Sequence, residues 1–357
     1  MGKYSLIVVS GFIMTAGIIL NNLNRGAERF TEGLGGYYTR TVVKYLSESG
    51  ARVALGKLHA DRTWRGSIPS RSFSGGSFVV DSLKNDESLG LGYVKFVSRG
   101  QIGTDKDTVQ AVALARNIPP GVRGAITANT TVNTLGGFLM DGREHDSSGN
   151  LIAGQGTMAV STVSTFVEGG ASTGGGTDNG VDYAPSSPAN PSIYEEHASW
   201  TGGFPTSPDS VMGGSSRGYP EGKLKALAQS GANGGQYVTN PASLTFPLSG
   251  VTYVELASGG TWQSMDFGAS TGVLVVHNSA HNALIKNLNS GTFKGLVIAD
   301  DIDKVHCAIL GGVIVLKGSG NCIGNGSGNV KYCSEVIDLQ VNQASGKTDA
   351  FAIASWW

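Results

Sequence analysis

Apolar positions run almost unbroken from Tyr4 to Leu20 with no charged side chain among them, and they continue at helical spacing after polar residues enter. Seventeen residues rising 1.5 Å each span roughly 25 Å, the lower limit for crossing the hydrocarbon of a bilayer. A secretory signal would end in a small-residue cleavage site. Here the run passes instead into Asn21, Asn22, Leu23, Asn24 and Arg25 and on to an amphipathic stretch ending near Leu58. The pattern predicts a retained helical stalk from Tyr4 to Leu58, about 80 Å long.

Within that stalk Arg40, Lys44, Glu48 and Arg52 recur every four residues and share one face. Leu34, Tyr38, Val42, Tyr45 and Val53 fall on another, so the helix is expected to pack on something along its length. No Pro precedes Pro69. Gly26, Gly33, Gly35 and Gly36 weaken the helix by about 1 kcal/mol each relative to Ala, and a kink or softened stretch is expected there.

Beyond residue 60 the period changes from helix to strand. Ser77–Val80, Gly92–Val97 and Thr108–Leu114 alternate between turn residues and predict a small antiparallel sheet within 61–121. Short apolar pieces follow: Ala125–Thr127, Thr131–Asn133 and Gly137–Met140, and later Val251–Val254, Val273–Val276, Leu296–Ala299 and Val313–Leu316. Gly250, Gly272, Gly295 and Gly312 open the late pieces at spacings of 22, 23 and 17 residues. That is about one coil of a β-solenoid, whose corners repeatedly need positive φ. We therefore read 122–337 as a parallel β-helix-like body, with a β-sandwich as the alternative.

The body is interrupted over 168–219, a Gly/Ser/Thr/Pro/Asn-rich stretch that reads as a surface insertion, followed by a short helix from Pro220 to Ser230 with Gly231 as its stop. Residues 338–357 read as a C-terminal closing strand. Composition agrees with a β body: the chain has 54 Gly in 357 residues, 15% charged side chains and a net charge of −1. Such a balance argues against a helical enzyme and against nucleic-acid binding, which needs a basic face. Of the three cysteines, Cys307, Cys322 and Cys333, one pair is free to form a disulfide if the body is extracellular. Three small buried apolar residues is the alternative.

A basic start at Lys3, an apolar run beginning at Tyr4 and an amphipathic extension into a Gly-rich β head resemble a type IV pilin or pilin-like protein, most specifically over residues 1–58. The fold class expected is α+β: a long N-terminal hydrophobic and amphipathic helix, residues 1–60, followed by a mainly-β head. The resemblance implies a structural subunit of an extracellular bacterial filament, held in the inner-membrane lipid bilayer before assembly. Its partners would be copies of itself and the inner-membrane pilus assembly machinery, with no nucleic acid, cofactor or metal. Tyr4, Leu6, Ile7, Val8, Val9, Phe12, Ile13, Met14, Ile18, Ile19 and Leu20 would form the membrane and filament helix. Lys3, Arg25, Glu28, Arg29, Glu32, Leu34, Tyr38, Val42 and Tyr45 would set stalk packing and register. The family usually carries a Glu five residues into the mature helix. A cut after Gly2 places Ile7 there, and counting from Met1 places Ser5, so register is expected to rest on other contacts. Alternatives are an uncleaved signal anchor, a low-copy tip adhesin or priming subunit, and a membrane-anchored β-helix carbohydrate-active enzyme.

Motifs with catalytic appearance are weaker. Gly214-Ser215-Ser216-Arg217-Gly218 matches a nucleophile elbow but lies in a Gly/Ser tract without the required strand and helix. Asp300, Asp301, Asp303, Lys304 and His306 form an acidic cluster that reads as a turn, since neighbours on a strand face opposite ways. Asp141-Gly142-Arg143-Glu144-His145-Asp146 lacks the alternation of a calcium loop and reads as a hydrogen-bonded turn. His277 and His281 have a metal-ligand spacing in a strand-and-turn context, a weak zinc signal.

Overall fold

The computed structural model describes residues 2–86, 90–317, 322–345 and 352–356, with the side chains of 2–6, 264, 265, 322, 324, 325, 352, 354 and 356 outside the described set. The chain divides into two compact units: Met1–Lys84 with Lys95–Val112 and Ala354–Trp357, and Asn85–Val94 with Ala113–Ile353.

The first unit is built on helix α1, Gly2–Ala60, whose 59 residues extend about 88 Å. It is continuous through Gly26, Gly33, Gly35 and Gly36, where a softening was expected. A cost of about 1 kcal/mol per glycine is small against the hydrogen bonds of the uninterrupted turns on either side. Strands β1 (Ile68–Phe73), β2 (Gly76–Val80), β3 (Lys84–Asn85), β4 (Tyr93–Ile102) and β5 (Asp105–Leu114) follow. The sheet runs β1-β2-β4-β5 and then the terminal strand Ala352–Trp356, with antiparallel pairing of β1 with β2 and of β2 with β4. This is the expected α+β order, helix first and strands after.

The face of α1 that meets this sheet differs from the one the sequence pattern had marked. Val43, Leu46, Ser47, Ala51, Ala54, Leu55 and Leu58 are buried, whereas Leu34, Tyr38, Tyr45 and Val53 are exposed. At 3.6 residues per turn Leu34, Tyr38 and Tyr45 lie opposite the buried set, and Val53 lies at its edge, one heptad from Leu46. Between the leucines of the buried side, Ser47, Gly50, Ala51 and Ala54 let the backbones come close together. A Cβ on Gly50 would stand 2.7 Å from Phe78 Cδ2, and one on Gly100 of β4 would stand 2.7 Å from the Ser47 amide nitrogen. The Ser47 hydroxyl meets the Asp107 carboxylate on β5, which satisfies the one strongly polar side chain on that face.

The second unit contains β6 (Gly124–Ala128), β7 (Val132–Gly136), β8 (Leu139–Asp141), β9 (Met158–Thr162), β10 (Phe166–Glu168), β11 (Thr173–Asp178), β12 (Val181–Ser186), β13 (Tyr194–Glu195), β14 (Gln236–Val238) and β15 (Val251–Glu255). It continues with β16 (Thr261–His277), β17 (Leu284–Ala299), β18 (Asp301–Val305), β19 (Ala308–Val315), β20 (Cys322–Gly326) and β21 (Asn329–Tyr332). The helices are α2 (Pro208–Val211), α3 (Lys223–Ser230) and α4 (Ser334–Ser345); the terminal strand Ala352–Trp356, β22, belongs to the β1-β2-β4-β5 sheet.

Successive turns of chain stack by parallel pairing. One ladder places Gln236, Thr252, Leu274, Val297, Val313, Ile126, Val160 and Tyr194 in a single column. A second column runs Ser270, Phe293, Ile309, Val330, Met140 and Gly174. Fully buried aliphatic residues and the stacked Phe267 and Phe293 rings, 5.2 Å apart, fill the interior. Burial of this kind is worth about 25 cal/mol per Å² of apolar surface removed from water.

Chain order and stacking order do not agree, and that discrepancy explains the region read as a surface insertion. β6, β9 and β13 occupy one end of the first ladder, while the next strand in sequence, β14, begins the opposite end. The later strands then wind back until β19 meets β6. Within 168–219, therefore, β11 and β13 are rungs of the stack, and only the part beyond β13 belongs to the crossover that leads through α2 and α3. β11 was hidden because its core is Gly174-Gly175-Gly176, which is buried and has no aliphatic signal. It is glycine-rich for a packing reason: a Cβ on Gly174 would stand 2.8 Å from Ala189 Cβ, and one on Gly176 2.8 Å from Ile193 Cβ.

Two further differences appear at the C-terminal end. The segment read as a closing strand from residue 338 begins inside α4, whose Val336, Ile337, Gln340, Val341 and Ala344 are buried at helical spacing, and only β22 is extended. Cys307 and Cys333 are free, buried thiols, so they form no disulfide with each other; the Cys322 side chain lies outside the described residues. α3 ends at Gly231 in a left-handed conformation, as its sequence predicts, but it begins at Lys223 after left-handed Gly222 rather than at Pro220.

Candidate assembly surface and polar clusters

The upper part of α1 is apolar and uncovered. Ile7, Val8, Val9, Phe12, Ile13, Met14, Ile18, Ile19, Leu20 and Leu23 are all exposed, Phe12 at 76%. By length and composition it is the one described helix able to cross a membrane, and none of its most apolar window is buried inside the molecule. Lys3, Tyr4 and Leu6 belong to the same helix, their side chains lying outside the described set. Arg25, Glu28, Arg29 and Glu32 are exposed on the next turns, and Val42 is half-buried.

Two local features suit this helix to an apolar environment. All four of its threonines, Thr15, Thr31, Thr39 and Thr41, donate their hydroxyl to the carbonyl four residues back, at 2.8, 2.9, 3.0 and 2.9 Å. A hydroxyl bonded in this way does not need water. Gly11, Gly17, Gly26, Gly33, Gly35 and Gly36 have open space where a Cβ would stand, so no contact within the chain accounts for them. Leu34, Tyr38 and Tyr45 continue an outward stripe opposite the face that packs on the sheet. The sequence had indicated this stripe; it had missed the Val43–Leu58 face, whose i, i+3, i+4 spacing is carried partly by Ser, Gly and Ala.

The polar motifs resolve differently. Asp141 is buried and accepts from Arg143 Nε and Nη2 at 2.9 and 2.7 Å. That hydrogen bond holds the Arg143 guanidinium pKa above its ordinary value. His145 Nδ1 stands 3.1 Å from the Tyr332 carbonyl oxygen, and Glu144 accepts the amide and hydroxyl of Ser334 at 2.9 and 2.8 Å, closing the start of α4. Asp146 accepts the amides of Ser148 and Asn150. The loop is a hydrogen-bonded turn. Gly214–Arg217 is a 3-10 helix between left-handed Gly213 and Gly218, with no buried strand leading into Ser216. It has none of the strand-turn-helix geometry of a nucleophile elbow.

Asp300, read as part of an acidic turn, is wholly buried. Its Oδ1 stands 2.6 Å from His277 Nδ1, and its Oδ2 accepts the amides of Asn278 and Ala283 at 3.0 and 3.1 Å. Asp301 accepts the Ile302 amide at 2.9 Å. The structure brings His277, His281 and Asp300 together, a grouping the sequence left unassembled. Elsewhere in the second unit a cavity of about 400 Å³ is lined by Arg123, Glu195, Arg217 and neighbouring apolar residues. Arg217 donates to the Ile118 carbonyl, and Arg123 lies over the Trp200 ring, 3.6 Å from its centroid, so both cations are structurally engaged.

No family model matches the chain, and no curated protein matches it. Among solved structures, the competence-associated pilin ComZ from Thermus thermophilus matches with 11% identity and a TM-score of 0.33, over 89% of this chain and 97% of that one. At so loose an overlap, fold and function have to be argued from this chain's own residues.

Proposed function

We propose that this protein is a pilin-like structural subunit whose N-terminal helix sits in a bilayer before assembly and bundles with copies of itself afterwards, as the core of a surface filament. The observation that carries this reading is the uncovered apolar surface from Ile7 to Leu23, continued by the outward stripe of Leu34, Tyr38 and Tyr45. A surface of that extent on a water-soluble monomer would drive association. Lipid and a bundle of like helices each keep it dry. Copies related by one repeated rotation and translation form an open head-to-tail assembly.

The experiment is to place a charge on the helix, Val9→Asp or Ile13→Asp, and to inspect material sheared from expressing cells by electron microscopy. Filaments are expected from the parent chain and none from the variants, while circular dichroism of the purified variants retains the β signal. Filaments that persist in both variants, or a parent chain that stays a membrane-bound monomer, would overturn the proposal.

A further inference from the structure

The turn joining β16 to β17 carries two histidines four residues apart, His277 at the last position of β16 and His281 in a left-handed conformation with φ 52°. Asp300 lies one turn of chain further on. Val276 pairs with Ala299, so His277 and Asp300 occupy equivalent places on successive rungs, and Glu255 pairs with His277 from the rung before. The turn is held rigidly. Asn278 Oδ1 accepts the amides of Ala280 and Asn282 at 3.1 Å each, and Asn278 Nδ2 donates to the Ala257 carbonyl at 3.1 Å and to Asn282 Oδ1 at 3.0 Å.

The imidazoles are close enough to share one ion. Their ring centroids stand 5.0 Å apart with the planes at 65°. A nitrogen about 2.05 Å from a zinc ion puts its ring centroid about 3.2 Å from the metal, so two rings on neighbouring tetrahedral vertices have centroids about 5.2 Å apart. One donor atom from each of His277, His281 and Asp300 falls within 4.8 Å of the others. Asp300 Oδ2 already accepts two backbone amides, which leaves Oδ1 to take the Nδ1 proton of His277. That fixes the tautomer with the Nε2 lone pair free. A carboxylate behind a histidine in this manner sets ring orientation and raises ligand basicity.

We propose that His277 and His281 bind a borderline divalent cation of the Zn²⁺ class, with Asp300 positioning the His277 ring and solvent completing the coordination. Imidazole nitrogen favours Zn²⁺, Ni²⁺ or Cu²⁺ over Ca²⁺ and Mg²⁺. The ion would tie His281, inside the 278–282 turn, to His277 at the end of β16, whose ring Asp300 already holds from the next rung. This inference is independent of the filament reading.

The test uses untagged full-length protein in detergent, stripped with chelator and dialysed against ZnCl₂, with bound zinc measured by elemental analysis and the thermal midpoint recorded alongside. One zinc per chain is expected, with a raised midpoint, and CaCl₂ produces neither effect. His281→Ala, at a partly exposed position, is expected to weaken zinc binding at least tenfold while its metal-free midpoint stays at the parent value. Asp300→Asn is expected to weaken binding by about 10- to 100-fold. His306→Ala, which alters an exposed imidazole near Ser327, is expected to change nothing. A parent chain that binds no zinc, a His281→Ala variant with parental affinity, or an equal loss in His306→Ala would overturn the assignment. Should Asp300→Asn fail to fold, the two alanine variants still decide it.

Discussion

Gly295 of β17 and Gly311 of β19 pair directly, and a Cβ on Gly311 would collide with the Gly295 carbonyl oxygen. The same relation holds one rung back, where Gly272 pairs with Gly295, and Gly272, Gly295 and Gly311 have φ of 118, 154 and 145°. The sequence spacing had marked Gly312 for this column; its neighbour Gly311 occupies it. Gly312 has no such constraint, its would-be Cβ meeting side-chain atoms at ordinary contact distance, Ile337 Cδ1 and Leu296 Cδ1 at 3.4 Å and Val122 Cγ1 at 3.9 Å. Gly311→Ala is therefore expected to destabilise the second unit by about 3 kcal/mol or more, through backbone strain and collision. Gly312→Ala is expected to stay within about 1 kcal/mol of the parent. Urea denaturation of both variants followed by circular dichroism checks the pair; equal losses would show that the column does not constrain this position.

Adjacent residues on α1 separate folding from assembly. Leu46 is buried at 1% and Tyr45 is 61% exposed. Leu46→Ala is expected to cost about 2–5 kcal/mol of stability in the first unit. Tyr45→Glu is expected to leave thermal unfolding unchanged and to reduce or abolish filaments, scored by sedimentation of sheared material. A Tyr45→Glu variant that melts early would place Tyr45 inside the fold.

The buried thiols predict an alkaline signature. Burial pushes both Cys307 and Cys333 up to about 12, against about 8.5 for an unfolded cysteine. A group whose folded pKa is raised contributes stability that is fully present below the unfolded pKa and is lost as pH rises towards the folded one. Stability is thus expected to fall from about pH 8.5 upward. A Cys307→Ala, Cys333→Ala double variant should show a shallower fall between about pH 8.5 and 10, below the range where unfolded tyrosines ionise. Peptide-mapped alkylation at pH 8 should label neither site in the native chain and both in urea.

Glu144 closes the start of α4 through Ser334. Glu144→Ala leaves a buried amide and hydroxyl without their acceptor and is expected to cost about 1–3 kcal/mol. Glu144→Gln keeps an acceptor oxygen and is expected to recover most of that loss. Hydrogen exchange at the first turn of α4 distinguishes the two, fast in the alanine variant and slow in the glutamine one.

Periodicity made the helix legible, because apolar residues recurred at its spacing for tens of positions, and it exposed the late strands, whose aliphatic runs end in regularly spaced glycines. It failed where a different residue class carried the packing. β11 is a buried strand of glycines, so its rung had no hydrophobic beat, and the chain around it looked like surface. The helical face from Val43 to Leu58 used serine, glycine and alanine, which let the more conspicuous tyrosines attract the assignment. α4 follows a long run of strands, which masked the helical interval of Val336, Ile337, Val341 and Ala344. His277 and His281 were visible as a pair, but Asp300 joined them only through the register of parallel rungs, a relation between residues 23 apart that a local motif does not contain.

The unbroken course of α1 turns its foot into the short arm of a lever. From Gly50, held against Phe78, to Ile7 is about 65 Å of helix. A rotation of one degree at the held end therefore carries the free end by roughly 1 Å. A sub-ångström slip of the packed turns over β2 and β4 becomes a sideways step of several ångströms at the apolar tip, enough to exchange one neighbouring side chain for the next.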